Sequence, residues 1–189
     1  MGAAINLINS FKVKTVIFNC GRYNYLEREL IKVLKKKRIP YYSCIDELNL
    51  SQYNLQFLNT KEYDNENDNS NVIYLNYDNY QFLFMGDAGI EKEKDILDAY
   101  SLEDIDFLKV GHHSSNISSI EDFINVINPT YSLISVGENN KYGHSKESVL
   151  DELNNSKIYR TDFDGTLKKV NKKGYKTEKL HHRKYRNLK

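Results

Sequence analysis

A unit that recurs along the second half of the chain limits its fold more than any other feature: an apolar run, a polar loop, then an amphipathic run. IDFLKV leads through GHHSSNISS into IEDFINVI, and YSLISVG leads through ENNKYGHS into KESVLDELNN. The first run of each unit reads as a strand and the last as a helix, by apolar spacing. Strands alternating with helices imply an α/β layer structure, and polar loops just beyond strand ends are where such folds site their chemistry.

The first half alternates less regularly. TVIFNC (15–20) reads as a strand, and YLERELIKVLKKK (25–37) sets Leu26, Leu30, Val33 and Leu34 on one helical face. Further strands are expected near YYSC and at LQFLNT (55–60), followed by an acidic loop running to Asn71. VIYLNY and QFLFMGD, joined at Asp78-Asn79, predict a β-hairpin, and IEKEKDILDAY a charged helix. Ser118 with Glu121 forms a capping box for IEDFINVI, and Ser145 is an expected N-cap for the next helix. KIYRTD, an Asp164-Gly165 turn and LKKV predict a last hairpin, and the fold expectation is one domain over 1–180 with a basic tail at 181–189.

With 27 basic and 26 acidic residues among 189, the net charge of +1 points to neither nucleic acid nor membrane as a partner. Basic stretches at 28–38 and 168–189 read as solvated faces, and acidic ones lie at 61–68 and 87–106. No stretch approaches the roughly 20 apolar residues of a membrane span. MGAAINLINS lacks a basic region ahead of an apolar core, so no export signal is expected and the default compartment is cytoplasmic. Cys20 and Cys44, with no CxxC and no neighbouring His, are expected to be buried free thiols rather than a disulfide or a metal site.

Three loops share one design, each leaving an apolar strand with a metal-capable side chain beside glycine: Met85-Gly86-Asp87, Gly111-His112-His113 and Gly143-His144. Carboxylate and imidazole suit Zn²⁺, Mn²⁺ or Fe²⁺ in hydrolytic sites, where the ion lowers the pKa of bound water to about 7. Taken singly, Asp87 reads equally as a helix cap and His144 as a surface residue. The adjacent pair His112 and His113 adds weight, because one can bind metal while the other contacts substrate or moves a proton. Ser114, Ser115, Ser118 and Ser119 contact phosphate oxygens or shape the loop; the residues alone do not choose.

FMGDAGIEKEKDIL, IDFLKVGHHSSN, SVGENNKYGHSKESVL and IYRTDFDGT, in that order over residues 10–175, resemble the metallo-β-lactamase-fold domain of the ComEC competence family and its free-standing relatives. Those show a strand ending in GD, one ending in GHHGS, a segment like SVGxNNRYGHP and a closing RTDxDG. The resemblance implies an αβ/βα metallo-β-lactamase-like sandwich, N-terminally truncated here, with metal-dependent hydrolysis of a phosphodiester or other ester. It implies catalytic Asp87, His112 and His113, a metal held by Asp87, His113 and His144, and substrate contacts at Asn69, Ser70, Ser114 and Ser115. Which of His112 and His113 faces the metal is left open. The implied cofactor is a divalent metal, Zn or Mn, as one ion or none in a truncated chain. The implied partner is single-stranded DNA or another phosphodiester, met outside the cytoplasmic membrane in a ComEC-like system.

Three departures qualify this. Ser114 stands where the family has glycine, Ser145 where it has proline, and no HxHxDH or HxDxDH segment is present. The expectations for that absence are a truncated or split gene, a late start codon, a decayed copy, or a partner chain that supplies the segment. Impaired metal binding, an exposed apolar sheet face, and a non-catalytic remnant or binding module as the alternative function all follow from it. DFDGTL (162–167) also matches the DxDGT phosphatase motif of haloacid dehalogenase-like enzymes, but that mechanism needs a whole downstream domain, so a turn is expected. His181 and His182 are expected to be solvated.

Overall fold

The computed structural model describes residues 3–141, 143–171 and 174–178, the last two strands by backbone alone. The basic tail with His181 and His182 lies outside the described residues. Seven strands form one sheet in sequence order: β3 (Glu47–Leu50), β4 (Tyr53–Phe57), β5 (Ile73–Tyr77), β6 (Tyr80–Phe84), β7 (Phe107–Lys109), β8 (Tyr131–Ile134) and β9 (Lys157–Arg160). β3 to β6 form an antiparallel meander, and β6 to β9 run parallel. Parallel neighbours need crossovers, and each has a helix: α3 (Ile90–Ala99), α4 (Glu121–Ile127) and α5 (Glu147–Glu152).

Successive right-handed crossovers in one direction place all three helices on the same face. The main core is therefore Leu83, Leu108 and Ile134 of the sheet against Ile96, Phe123, Ile127 and Val149 of the helices and Leu153 at the end of α5. Burial of side chains this size contributes about 2 kcal/mol each. The opposite face carries an aromatic ladder, since Phe82, Phe107 and Tyr131 are in register across three strands. Their rings stack at 4.8 and 5.0 Å, and Tyr131 continues to Tyr159 at 6.3 Å. Phe84, at the upper end of that face, is 40% exposed.

A smaller unit precedes the sheet. β1 (Val16–Phe18) pairs in parallel with β2 (Tyr41–Ser43), linked by α2 (Tyr25–Lys37) and packed by α1 (Ala4–Ser10). Its core is Ile8, Phe18, Leu30, Ile31 and Leu34. α2 begins in a capping box, where Asn24 accepts from the Glu27 N–H and Glu27 accepts from the Asn24 N–H, and its last turn is basic. Parallel pairing brings the strand ends together, and Cys20 and Cys44 are joined there in a disulfide. The expectation of free thiols is thereby corrected; twenty-four residues of sequence separation hid a neighbour relation that only the β1–β2 pairing creates.

Three local expectations are also corrected. α4 takes its N-cap from Ile120 without a side-chain bond. Buried Glu93 instead accepts from the N–H groups of Ser119 and Ile120 at 2.6 and 3.1 Å, and Ser118 Oγ donates to the carbonyls of Gly111 and Ser115. Lys146, not Ser145, is the N-cap of α5. The last hairpin is not KIYRTD with LKKV: β9 pairs with β8, and β10 (Thr166–Asn171) pairs with β11 (Gly174–Glu178). Between them Thr161–Asp164 forms one helical turn, α6, because Asp164 accepts from the Arg160 N–H and Asp162 from its guanidinium. Both aspartates of the DxDGT match are thus structural partners of Arg160.

The architecture is mixed α/β. Two stacked sheets of comparable size are not present among the described residues. No helix among them is long and apolar enough to cross a membrane.

Candidate functional site

The metal-capable residues all sit beyond the C-terminal ends of the parallel strands. Asp87 follows β6, His112 and His113 follow β7 in a 3₁₀ turn, and His144 follows β8. The Asp87 loop is held from below by the polar loop ahead of β5. Asp68 Oδ1 accepts from the Gly89 N–H at 2.6 Å, and Ser70 Oγ accepts from the Asp87 N–H at 3.2 Å. Gly86 turns at φ +60°, where a Cβ would meet Ser70 Cβ at 3.0 Å, so backbone and space both favour glycine. Its carbonyl takes the His112 N–H at 3.1 Å, tying the two loops together.

The donors gather in two pairs. His113 Nδ1 lies 2.6 Å from the Ser135 carbonyl, an oxygen that only accepts, so Nδ1 carries a proton and the lone pair of the neutral ring is on Nε2. That Nε2 faces Asp87 Oδ1 at 3.8 Å, with both side chains half exposed, at 50% and 49%. A ring fixed through its far nitrogen on a backbone carbonyl is how metal-binding histidines are oriented. His112 lies beside His144, with ring centroids 6.4 Å apart, and its buried Nδ1 has no protein partner. Burial lowers the pKa of His144, and Lys146, His112 and His113 act in the same direction, which favours the neutral form that can ligate. Among the described residues no three His, Cys, Asp or Glu side chains come close enough to hold one ion. In chemistry and orientation the donors fit a divalent ion; their number at any one point is two.

Asp87 and His113 form part of the floor of a cleft of about 600 Å³. The end of β1 and the start of α2 supply its far wall, through Phe18, Asn19, Asn24 and Glu27. Ser70 lines this cleft. Asn69 does not: it is buried, accepting from the Tyr63 N–H at 2.9 Å and donating to the Tyr63 carbonyl at 2.7 Å. Ser114 and Ser115 are buried as well, Ser114 fully. His112, His113 and Ser114 take positive φ in succession, at 44°, 53° and 64°. Sequence reasoning missed Lys109, which lines the cleft beside Asp87 and His113. Burial lowers its pKa and Asp87 opposes that. The available signal was a lysine inside the apolar run IDFLKV.

No family model matches the chain. It is 30% identical over 176 residues, 88% of its length, to ComE operon protein 3 of Bacillus subtilis, and covers 22% of that protein. It is 31% identical over 131 residues to competence protein ComA of Neisseria gonorrhoeae, covering 66% of this chain and 19% of that one. A third relative, recombination protein 2 of Haemophilus influenzae, is 33% identical over 92 residues, 49% of this chain and 11% of its own. The chain spans about a fifth or less of each of these curated relatives. Over that span, the three similarities support a ComEC-type competence family for this chain.

Proposed function

We propose that this chain serves DNA uptake as part of a metallo-β-lactamase-like hydrolase domain that cleaves a phosphodiester at the cleft beyond β6, β7 and β8. The observation that carries the reading is the His113 ring, fixed by Ser135 with Nε2 aimed at Asp87 on the cleft floor. Likeness to proteins named for competence supports the DNA-uptake context. An αβ/βα sandwich is the architecture we infer for this domain, since helices cover one face of the large sheet and aromatic rings line the other.

In this reading Asp87 and His113 would hold a divalent ion, Zn or Mn, and the expected third ligand, His144, stands instead in a separate pair with His112. When bound, such an ion would supply Lewis acidity for phosphodiester hydrolysis. Asp87 contributes the charge that offsets the ion, and His113 Nε2 a fixed lone pair. Ser70 and the Gly86 turn keep Asp87 on the floor.

The test is cleavage of an end-labelled single-stranded oligonucleotide by the full chain with Mn²⁺ or Zn²⁺. Cleavage should be lost with chelator, Asp87→Asn or His113→Ala. A second reading, a binding module without chemistry, is favoured by the two-by-two arrangement of donors. It predicts oligonucleotide binding with no cleavage under any ion.

A further inference from the structure

We infer that Lys109 is the anion-binding residue of the cleft, the side chain that holds a non-bridging oxygen of a substrate phosphodiester. The inference rests on the hydrolase reading for the identity of the ligand, but its geometry is independent of any ion. Lys109 ends β7 in register with Phe84, two residues beyond Phe107. Alternation along a strand therefore puts it on the aromatic face rather than toward the helices. It lines the cleft together with Phe84, Asp87 and His113.

Among the described residues lining that cleft it is the one lysine or arginine. Its Nζ donates to the Val110 carbonyl at 2.8 Å. An ammonium has three N–H groups, so that bond anchors the head and leaves donors for a ligand. The carboxylates on the far side of the cleft are otherwise engaged. Glu27 accepts from the Asn24 N–H and Glu66 from the Asn24 side-chain amide, both through α2's N-cap residue. On the near side, Ser70 Oγ accepts from the Asp87 N–H and keeps its own hydrogen for a second partner. A phosphodiester oxygen held by Lys109, with Ser70 nearby, would lie next to Asp87 and His113, where the proposed chemistry is sited. The competing explanation is that Lys109 only balances the Asp87 charge.

Binding of a fluorescein-labelled (dT)10 oligonucleotide to the full chain, followed by anisotropy in chelator, separates these. Lys109→Met keeps the stem and removes the charge, and should weaken binding about tenfold, the loss expected for one charge-assisted hydrogen bond. Lys109→Arg should stay within about twofold of wild type, because it keeps the cation. Lys94→Met, which removes an exposed charge from α3 away from the cleft lining, should leave affinity within about twofold. Lys109→Gln repeats the charge removal should the Lys109→Met variant melt early. The inference is overturned if wild type does not bind, if both charge-removing variants of Lys109 bind like wild type, or if the Arg variant loses as much as they do. Failure of the hydrolase reading shows elsewhere, as absent ion-dependent cleavage, which a measurement in chelator does not touch.

Discussion

Ser114 shows how one side chain sets the quality of this site. It is fully buried, sits at φ +64° and its hydroxyl has no protein partner. A left-handed conformation costs a residue with a Cβ about 1 kcal/mol relative to glycine, and an unsatisfied buried hydroxyl adds to that. Ser114→Gly should therefore raise unfolding stability by about 1 kcal/mol, read as a higher denaturant midpoint at unchanged slope. A loss of stability would mean the hydroxyl is satisfied in solution. The departure from the family's glycine was legible in the sequence, and its physical meaning was not, because φ at 114 depends on His112 and His113 being left-handed before it. Roles at the histidines divided the same way. Adjacent imidazoles could be read as a site, but only the Ser135 carbonyl, delivered by β8's extension, decides that His113 faces Asp87.

Among the elements, α4 depends on a residue of α3. Glu93 lies fully buried and carries the N-cap function that Ser118 was expected to serve. Burial pushes its pKa from 4.5 up to about 7, against the opposing pull of the two N–H bonds. The folded state then holds a proton that the unfolded chain releases near pH 4.5, so stability should fall as pH rises from about 4.5 to 7. Glu93→Gln has no proton to lose and should give a flatter profile across that interval, even if it is less stable throughout. Equal slopes would contradict the assignment. Most of the elements were legible: α2, the β5–β6 hairpin and the β7–α4 and β8–α5 units follow their apolar spacing. The caps were not, since a carboxylate from another helix outcompeted the local serine. The final hairpin was misread because Asp164-Gly165 looks like a turn in isolation, whereas Arg160 recruits both aspartates into a helical turn.

At the scale of the molecule, the cleft exists because the β1–β2 unit stands opposite the large sheet, and that unit is small. The Cys20–Cys44 disulfide closes its two strand ends across 24 residues. Replacing both cysteines by serine should cost about 3 kcal/mol of stability by thermal or denaturant unfolding; no change would show that the bond does not form. Such a staple persists in an oxidising compartment. On the large sheet's aromatic face Phe107 is buried and Phe84 is 40% exposed. The account as a whole turns on Asp87 and His113 acting as ligands. Titration of Zn²⁺ or Mn²⁺ into the metal-free full chain, followed calorimetrically, tests this most directly. The account predicts saturable uptake of about one ion, weakened at least about tenfold by Asp87→Asn and by His113→Ala, in keeping with a site short of ligands. No uptake, or uptake that neither substitution alters, would contradict it.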